Sequence, residues 1–274
     1  MTLALRNTII TLGFIIACLV LVASAVLAFN LFVLDGALTS ISTAPQTWLF
    51  WSWNTAGLGS WRLIAPLFTG LVSVFGMFTF SRYFRKNTDP QVFFFSVFLF
   101  SLAFHMLKIG VVAVEVYDQA PVFGALLTRV MYFGKTLGIA GLFSAGVYAV
   151  GAHYQKLASI LGILAILSFA LSYTVPVRID ALLPSLSHQT SLDLGLQVLY
   201  SFLIGATLLN YALAAYMLRR QELLLLGAAL AVAGISEELL FAMPNFVVTL
   251  IAFVLIVVST AIYGRRNYTM FIFR

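Results

Sequence analysis

Apolar residues are grouped into eight long segments, and the short stretches between them carry most of the charged residues. An α-helix rises 1.5 Å per residue, so about 20 apolar residues cross the roughly 30 Å hydrocarbon core of a bilayer. The sequence therefore predicts an all-α fold, a polytopic helical membrane bundle that forms a single domain over residues 1–274. The segments predict helices at about 8–34, 62–84, 91–117, 121–150, 156–175, 193–218, 222–241 and 244–264.

The distribution of basic residues predicts the orientation of the bundle. With the N-terminus inside, the cytoplasmic segments hold most of the cations, as the positive-inside rule requires, and both termini are cytoplasmic. The seventh segment is uncharged only from Leu223 to Ser236, so a re-entrant segment is an alternative there. Omitting it would place the basic C-terminal end outside, which favours a full crossing. The cytoplasmic cations are Arg6, Arg82, Arg85, Lys86, Lys156, Arg219, Arg220, Arg265, Arg266 and Arg274.

Composition agrees with the membrane assignment and excludes several classes of protein. Apolar residues form 62% of the chain and charged residues 9%, against about 25% charged in soluble domains. No segment is long and polar enough for a soluble catalytic or DNA-binding domain, so the net charge of +6 does not indicate nucleic acid. We expect an integral membrane protein of a prokaryotic cytoplasmic (inner) membrane. Its first apolar segment is too long for a typical signal sequence, and we expect it to be retained.

Short similarities between the two halves of the chain favour a tandem repeat. The second helix ends in SRYFRKN and the sixth in AAYMLRRQE. Glu115 lies six residues before Pro121, and Glu238 lies six residues before Pro244. These matches predict a four-plus-four arrangement with halves 1–152 and 153–274, a pattern common in transporters. A chance similarity caused by the biased composition is the alternative.

The third helix carries ionisable residues on one face. His105, Lys108 and Glu115 are separated by three and seven residues, a spacing that places them on the same side of an α-helix. Ionisable side chains inside a membrane are costly and usually face the bundle interior or a water-filled cavity. The third helix is therefore expected to turn this face inward.

The fourth and seventh helices add further polar side chains at similar depths. Folding the chain back near residue 120 places Lys108 level with Met131, and His105 level with Gly134. Acidic residues then lie nearer the outer end and cations lie deeper. The predicted ligand-binding residues are His105, Lys108, Glu115, Arg129, Tyr132, Lys135, Glu237 and Glu238. Two interpretations remain: ion pairs between helices that serve folding, or an outward-facing charged cavity for an anionic or zwitterionic small solute.

Gly134 and Gly138 form a GxxxG pair in the fourth helix, which predicts close approach of another helix. The neighbouring GKTLG string lacks the GxxxxGK[ST] pattern of a phosphate-binding loop.

Several specific chemistries lack their sequence requirements. The last two predicted helices contain no lysine, which excludes a standard retinal protein. His105 is the only histidine well inside a predicted helix, so no paired histidines support haem or a metal, and an HExxH motif is absent. The EExxxR motif of one class of intramembrane protease fails because Ala242 stands at the arginine position. No metal site or catalytic residue is predicted, and the cofactor is unknown.

Three functions fit these observations, in decreasing order. The first is a small permease or secondary transporter. The second is a membrane-embedded sensor or accessory subunit, which requires a partner membrane protein or a homo-oligomer because the cytoplasmic loops are short. The third is a lipid-modifying membrane enzyme. His105 and Glu115 are ten residues apart, about 15 Å along a helix, which is too far for both to act on one bond.

Overall fold

The computed structural model describes residues 2–33, 41, 43–48, 51–53, 61–84, 89–151, 157–243 and 245–272. Eight helices in this part of the chain are long and apolar enough to cross a membrane, which confirms a multi-pass, integral membrane protein. They are α1 (Leu3–Val33), α2 (Trp61–Tyr83), α3 (Pro90–Val116), α4 (Pro121–Ala149), α5 (Leu157–Thr174), α6 (Asp193–Leu218), α7 (Glu222–Ala242) and α8 (Phe246–Ile272).

The predicted helix positions agree with the structure except at some ends. Helix α7 is continuous over 21 residues, so no re-entrant break occurs in it. Helix α8 continues to Ile272, beyond the predicted end near residue 264. Arg265 and Arg266 end the apolar segment but do not break a helix, because hydropathy marks the membrane boundary rather than the last helical turn.

The helices form a central group and a peripheral group. In α2, α3, α4 and α7, between 56% and 78% of the apolar window is buried inside the protein. In α1, α5, α6 and α8 the corresponding range is 17% to 28%. Large apolar side chains such as Phe29, Ile166 and Phe202 are exposed on the peripheral helices, where they suit contact with lipid.

Helix α3 changes its geometry near its middle. Pro90 begins the helix, and the Asp89 carboxylate caps it by accepting a hydrogen bond from the Gln91 N–H at 3.0 Å. Residues Leu102–Met106 then form a 3₁₀ turn before the α-helix resumes at Leu107. Such an interruption tightens the backbone and shifts the direction of the side chains that follow. His105 lies within this turn.

The predicted close approach at the GxxxG pair is confirmed, and the partner is α3. A Cβ atom added at Gly134 would overlap the ring of Phe104, and one at Gly138 would overlap the Ser101 hydroxyl. The Gly134–Phe104 contact also supports the predicted depth of His105 beside Gly134. Small residues in α4 thus allow α3 and α4 to pack with their backbones close together.

Two short β-hairpins connect helices at one end of the bundle. Strands β1 (Gln46–Trp48) and β2 (Trp51–Trp53) pair antiparallel, as do β3 (Val177–Leu182) and β4 (His188–Thr190). We call this end of the bundle the hairpin end. The opposite end is the terminal end, because Arg6 contacts the backbone of Phe84 there and Tyr83 contacts Tyr268.

The turn of the β3–β4 hairpin is buried. We call Leu183–Ser187 the hairpin tip, and its five residues are all buried. The Gln46 side-chain carbonyl accepts a hydrogen bond from the Ser185 N–H at 3.0 Å. The Ala44 N–H donates to the Leu182 carbonyl at 2.8 Å. These partners satisfy polar backbone groups that could not otherwise be buried.

Candidate functional site

Six ionisable side chains meet inside the central helices, close to the end of α7. Each is at most 3% exposed. We call this group the charged cluster. Helix α2 supplies one member, α3 two, α4 one and α7 two, so the cluster joins all four central helices. Its members are Arg62, His105, Lys108, Lys135, Glu237 and Glu238.

Lys135 and Glu238 form the closest ion pair of the cluster. The Lys135 Nζ lies 3.0 Å from the Glu238 Oε1 and 3.1 Å from its Oε2. The ammonium also lies 4.1 Å from the centroid of the Phe241 ring and 4.6 Å from that of Tyr200. Aromatic faces attract cations, and the attraction increases where water is excluded. Lys135 is therefore held by a carboxylate and two rings.

His105 and Glu237 form a second contact between α3 and α7. The His105 Nε2 lies 3.4 Å from the Glu237 Oε1, and the imidazole packs edge-on against Phe241. The Glu237 Oε2 is buried and has no hydrogen-bond partner among the described residues.

Two cations bind carbonyls that lack helical partners at the C-terminal end of α7. The Lys108 Nζ donates to the Phe241 carbonyl at 2.6 Å, and the Arg62 guanidinium donates to the Met243 carbonyl at 3.0 Å. A helix C-terminus carries unpaired carbonyls and a partial negative charge, which cations stabilise. Glu237 and Glu238 add negative charge to the last turns of the same helix. Lys108, Lys135 and Arg62 offset that charge.

Arg62 also links the cluster to the hairpin tip. Its guanidinium donates to the Pro184 carbonyl in addition to that of Met243. The tip therefore closes the cluster at the hairpin end.

A hydrogen-bonded polar group extends from the cluster toward the start of α6. The Tyr132 hydroxyl donates to the Asp193 carboxylate at 3.1 Å, and the Thr190 hydroxyl donates to the same carboxylate. Beside it, the Thr136 and Tyr200 hydroxyls lie 2.9 Å apart. Tyr132 thus lies next to the cluster, as the sequence suggested, and its partner comes from α6.

The structure places Glu115 and Arg129 outside the cluster. The Glu115 carboxylate lies 3.7 Å from the His188 Nε2 at the hairpin end, and its side chain is 35% exposed. The Arg129 guanidinium lies over the Tyr173 ring, 5.3 Å from its centroid. Along α3 and α4, Glu115 and Arg129 lie nearer the hairpin end than Lys108 and Lys135, which reach the end of α7.

The sequence did not indicate that Arg62 and Asp193 belong to the site. Each lies in the first turn of a predicted helix, where an arginine is ordinarily assigned to the loop and an acid to the helix terminus. The Thr190-x-x-Asp193 spacing matches a helix-start pattern and gives no indication of a shared polar network.

The space beside the cluster is small. A cavity of about 20 Å³ is lined by Tyr132, Lys135, Asp193, Glu238 and other residues that include Leu183 of the hairpin tip. A cavity needs roughly 10–15 Å³ to hold one water molecule. The cavity therefore accommodates about one water, and the cluster is closed in this conformation. No three metal-ligating side chains come together in the part of the chain that the structure describes.

Comparison with known proteins gives one distant similarity. The chain is similar to an uncharacterized protein of Treponema pallidum (strain Nichols), with 25% identity over 160 residues. The similar region covers 58% of this chain and 43% of the relative, so this chain matches less than half of that protein. No protein-family model matches the chain, and no solved structure matches it.

Proposed function

We propose that the protein is a small secondary transporter for an anionic or zwitterionic solute, with the charged cluster as its binding site. The observation that carries the proposal is the meeting of a helix end and an irregular helix segment at buried charges. The end of α7 and the 3₁₀ turn of α3 both contribute to the cluster. Secondary transporters commonly build substrate sites from interrupted helices, whose free backbone groups and charged side chains bind the solute.

The pairing within the cluster suggests how binding could drive a conformational change. The predicted first half, residues 1–152, supplies His105 and both lysines, and the second half, residues 153–274, supplies both glutamates. A solute carboxylate would bind Lys135 in place of Glu238, or Lys108 in place of the Phe241 carbonyl. Its binding would weaken contacts between the halves, and rocking of one half against the other would expose the site to each side alternately.

Glu237 and His105 would carry protons in this mechanism. Their contact spans α3 and α7, and the Glu237 Oε2 has no partner among the described residues. A proton on Glu237 would neutralise it while the solute carboxylate occupies the lysines. The proposed transport is therefore coupled to protons.

Flux measurements in proteoliposomes test the proposal. The probes are radiolabelled neutral amino acids, monocarboxylates and dicarboxylates, each with and without a pH gradient. We expect flux of at least one class, lowered at least tenfold by Lys108→Met and by Glu238→Gln. The matched control is Glu222→Gln, which changes an exposed glutamate at the first turn of the same helix. Absence of flux with monodisperse protein, or flux unaffected by both cluster variants, would contradict transport.

A second function is favoured by the small cavity and the close pairing of charges. A sensor or accessory subunit could use the cluster to fix helix positions and pass a change to a partner membrane protein or to another copy of this chain. Copurification from native membranes distinguishes the two. A stoichiometric partner, together with no flux, would support the subunit.

A further inference from the structure

Helices α2 and α8 run parallel and are joined by three aromatic pairs. Trp61 contacts Phe246, with ring centroids 5.7 Å apart, Phe68 contacts Phe253 at 5.2 Å, and Tyr83 contacts Tyr268 at 5.9 Å. The sequence separation is the same in all three pairs, so α2 and α8 keep one register along their length. The last two pairs bound a groove, which we call the α2–α8 groove.

The α2–α8 groove is long and apolar. Its volume is about 630 Å³. It spans sixteen residues of each helix, about 22 Å, which is longer than the roughly 15 Å of hydrocarbon in one leaflet. Phe75 is 65% exposed beside it, so the groove opens to the outside of the bundle. An apolar groove that opens to the outside of the bundle suits a lipid acyl chain.

The polar groups of the groove are concentrated toward the terminal end. Arg265 lines the groove there, beside Tyr83 and Tyr268. Tyrosines and arginines typically lie at the headgroup layer of a membrane. Thr260 also lines the groove, about 8 Å closer to the hairpin end.

The geometry points to a binding site for an anionic phospholipid. The Arg265 guanidinium binds the phosphate, and one acyl chain fills the groove. The positive-inside prediction places this end in the cytoplasmic leaflet, where anionic lipids attract basic residues. This site lies on the lipid-facing side of α2 and α8 and does not depend on the proposed transport.

Native mass spectrometry of the full chain tests the site. The probes are palmitoyl-oleoyl phosphatidylglycerol and phosphatidylcholine, added in equal amounts, which share their acyl chains and differ in net charge. We expect the wild type to retain the anionic lipid about fivefold more than the zwitterionic one, since the attraction of one basic residue to an anionic membrane surface corresponds to about a factor of five. Arg265→Gln should remove this preference. The matched control Arg220→Gln changes an exposed arginine outside the groove and should leave the preference intact.

Filling the groove gives an independent measurement. A Cβ atom added at Gly264 meets only Phe80, at ordinary contact distance, and a longer side chain there can extend into the open groove. Gly264→Leu should therefore fold and lower retention of both lipids. Equal retention of the two lipids by the wild type would overturn the proposal, as would a preference that survives Arg265→Gln. If Gly264→Leu changed the oligomeric mass and left lipid retention intact, a second copy of the chain would be the occupant. If that variant did not fold, Arg265→Gln alone would still decide the question.

Discussion

At the scale of single residues, the pair of Lys135 and Glu238 shows the balance that holds the charged cluster. Both side chains are buried, and their charged atoms are 3.0 Å apart. Moving either charge out of water costs several kcal/mol, and the mutual attraction repays this only while both partners are present. Removing one partner should therefore lower stability strongly, whereas replacing both with apolar residues should lower it much less.

Replacing one partner of this pair should therefore be more damaging than replacing both. We expect Lys135→Met to cost about 3–5 kcal/mol of stability, because it leaves Glu238 buried without its cation. The double variant Lys135→Met/Glu238→Met should recover most of that loss. Thermal unfolding in detergent measures this, and the single variant should lower the midpoint by about 10 °C.

The control for this cycle is Glu222→Met, an exposed substitution on the same helix that should change stability by less than about 0.5 kcal/mol. Additive effects of the two cluster substitutions would show that the pair is not coupled. A stable double variant without flux would separate the binding role of the residues from their role in folding.

The sequence predicted part of the cluster because helical spacing is a local property. His105 and Lys108 lie on one face whatever the rest of the fold does, and the turn between α3 and α4 sets their depth beside Lys135. The position of Arg62 depends on where α7 ends and on what covers that end. Both depend on tertiary structure, which local sequence patterns do not predict.

At the scale of elements, the β3–β4 hairpin behaves as a cover over the end of α7. Arg62 donates to carbonyls on both sides of this contact, at Pro184 and Met243. Eight apolar segments identified the helices, since hydropathy and length suffice for that. Burial of the hairpin tip could not be predicted, because its polar backbone is satisfied by distant partners such as Gln46.

Loss of the Arg62 contact should release the hairpin tip. We expect Arg62→Met to expose Ser185, because the Pro184 carbonyl loses its buried donor. With Cys18→Ser as background, Ser185→Cys should resist a water-soluble maleimide while Arg62 is present, and it should react after Arg62→Met. Labelling rates followed by mass spectrometry measure the change.

Arg178→Met is the matched control, since Arg178 is exposed on the same hairpin and the change removes the same charge. It should leave Ser185→Cys protected. Equal protection with and without Arg62 would show that other contacts alone hold the hairpin tip.

At the scale of the whole molecule, the charged cluster lies between the two predicted halves of the chain. The lysines and His105 belong to α3 and α4, and the glutamates belong to α7, so each ionic contact joins one half to the other. The central helices carry these contacts, and the peripheral helices present apolar side chains outward. Contacts that join the halves would have to break and re-form in any rocking motion. The position of the cluster is therefore a reason to test transport first.

The orientation of the whole bundle in the membrane can be tested by labelling single cysteines at its two ends. Basic residues at the terminal end predict that this end faces the cytoplasm and the hairpin end faces outward. Arg178 is exposed at the hairpin end, and Arg220 is exposed in the turn between α6 and α7. In a Cys18→Ser background, Arg178→Cys should react with a membrane-impermeant maleimide in intact cells, and Arg220→Cys only after permeabilisation. The opposite pattern would invert the topology and move the proposed lipid site to the outer leaflet. Labelling of both positions from one side would contradict an odd number of crossings between them.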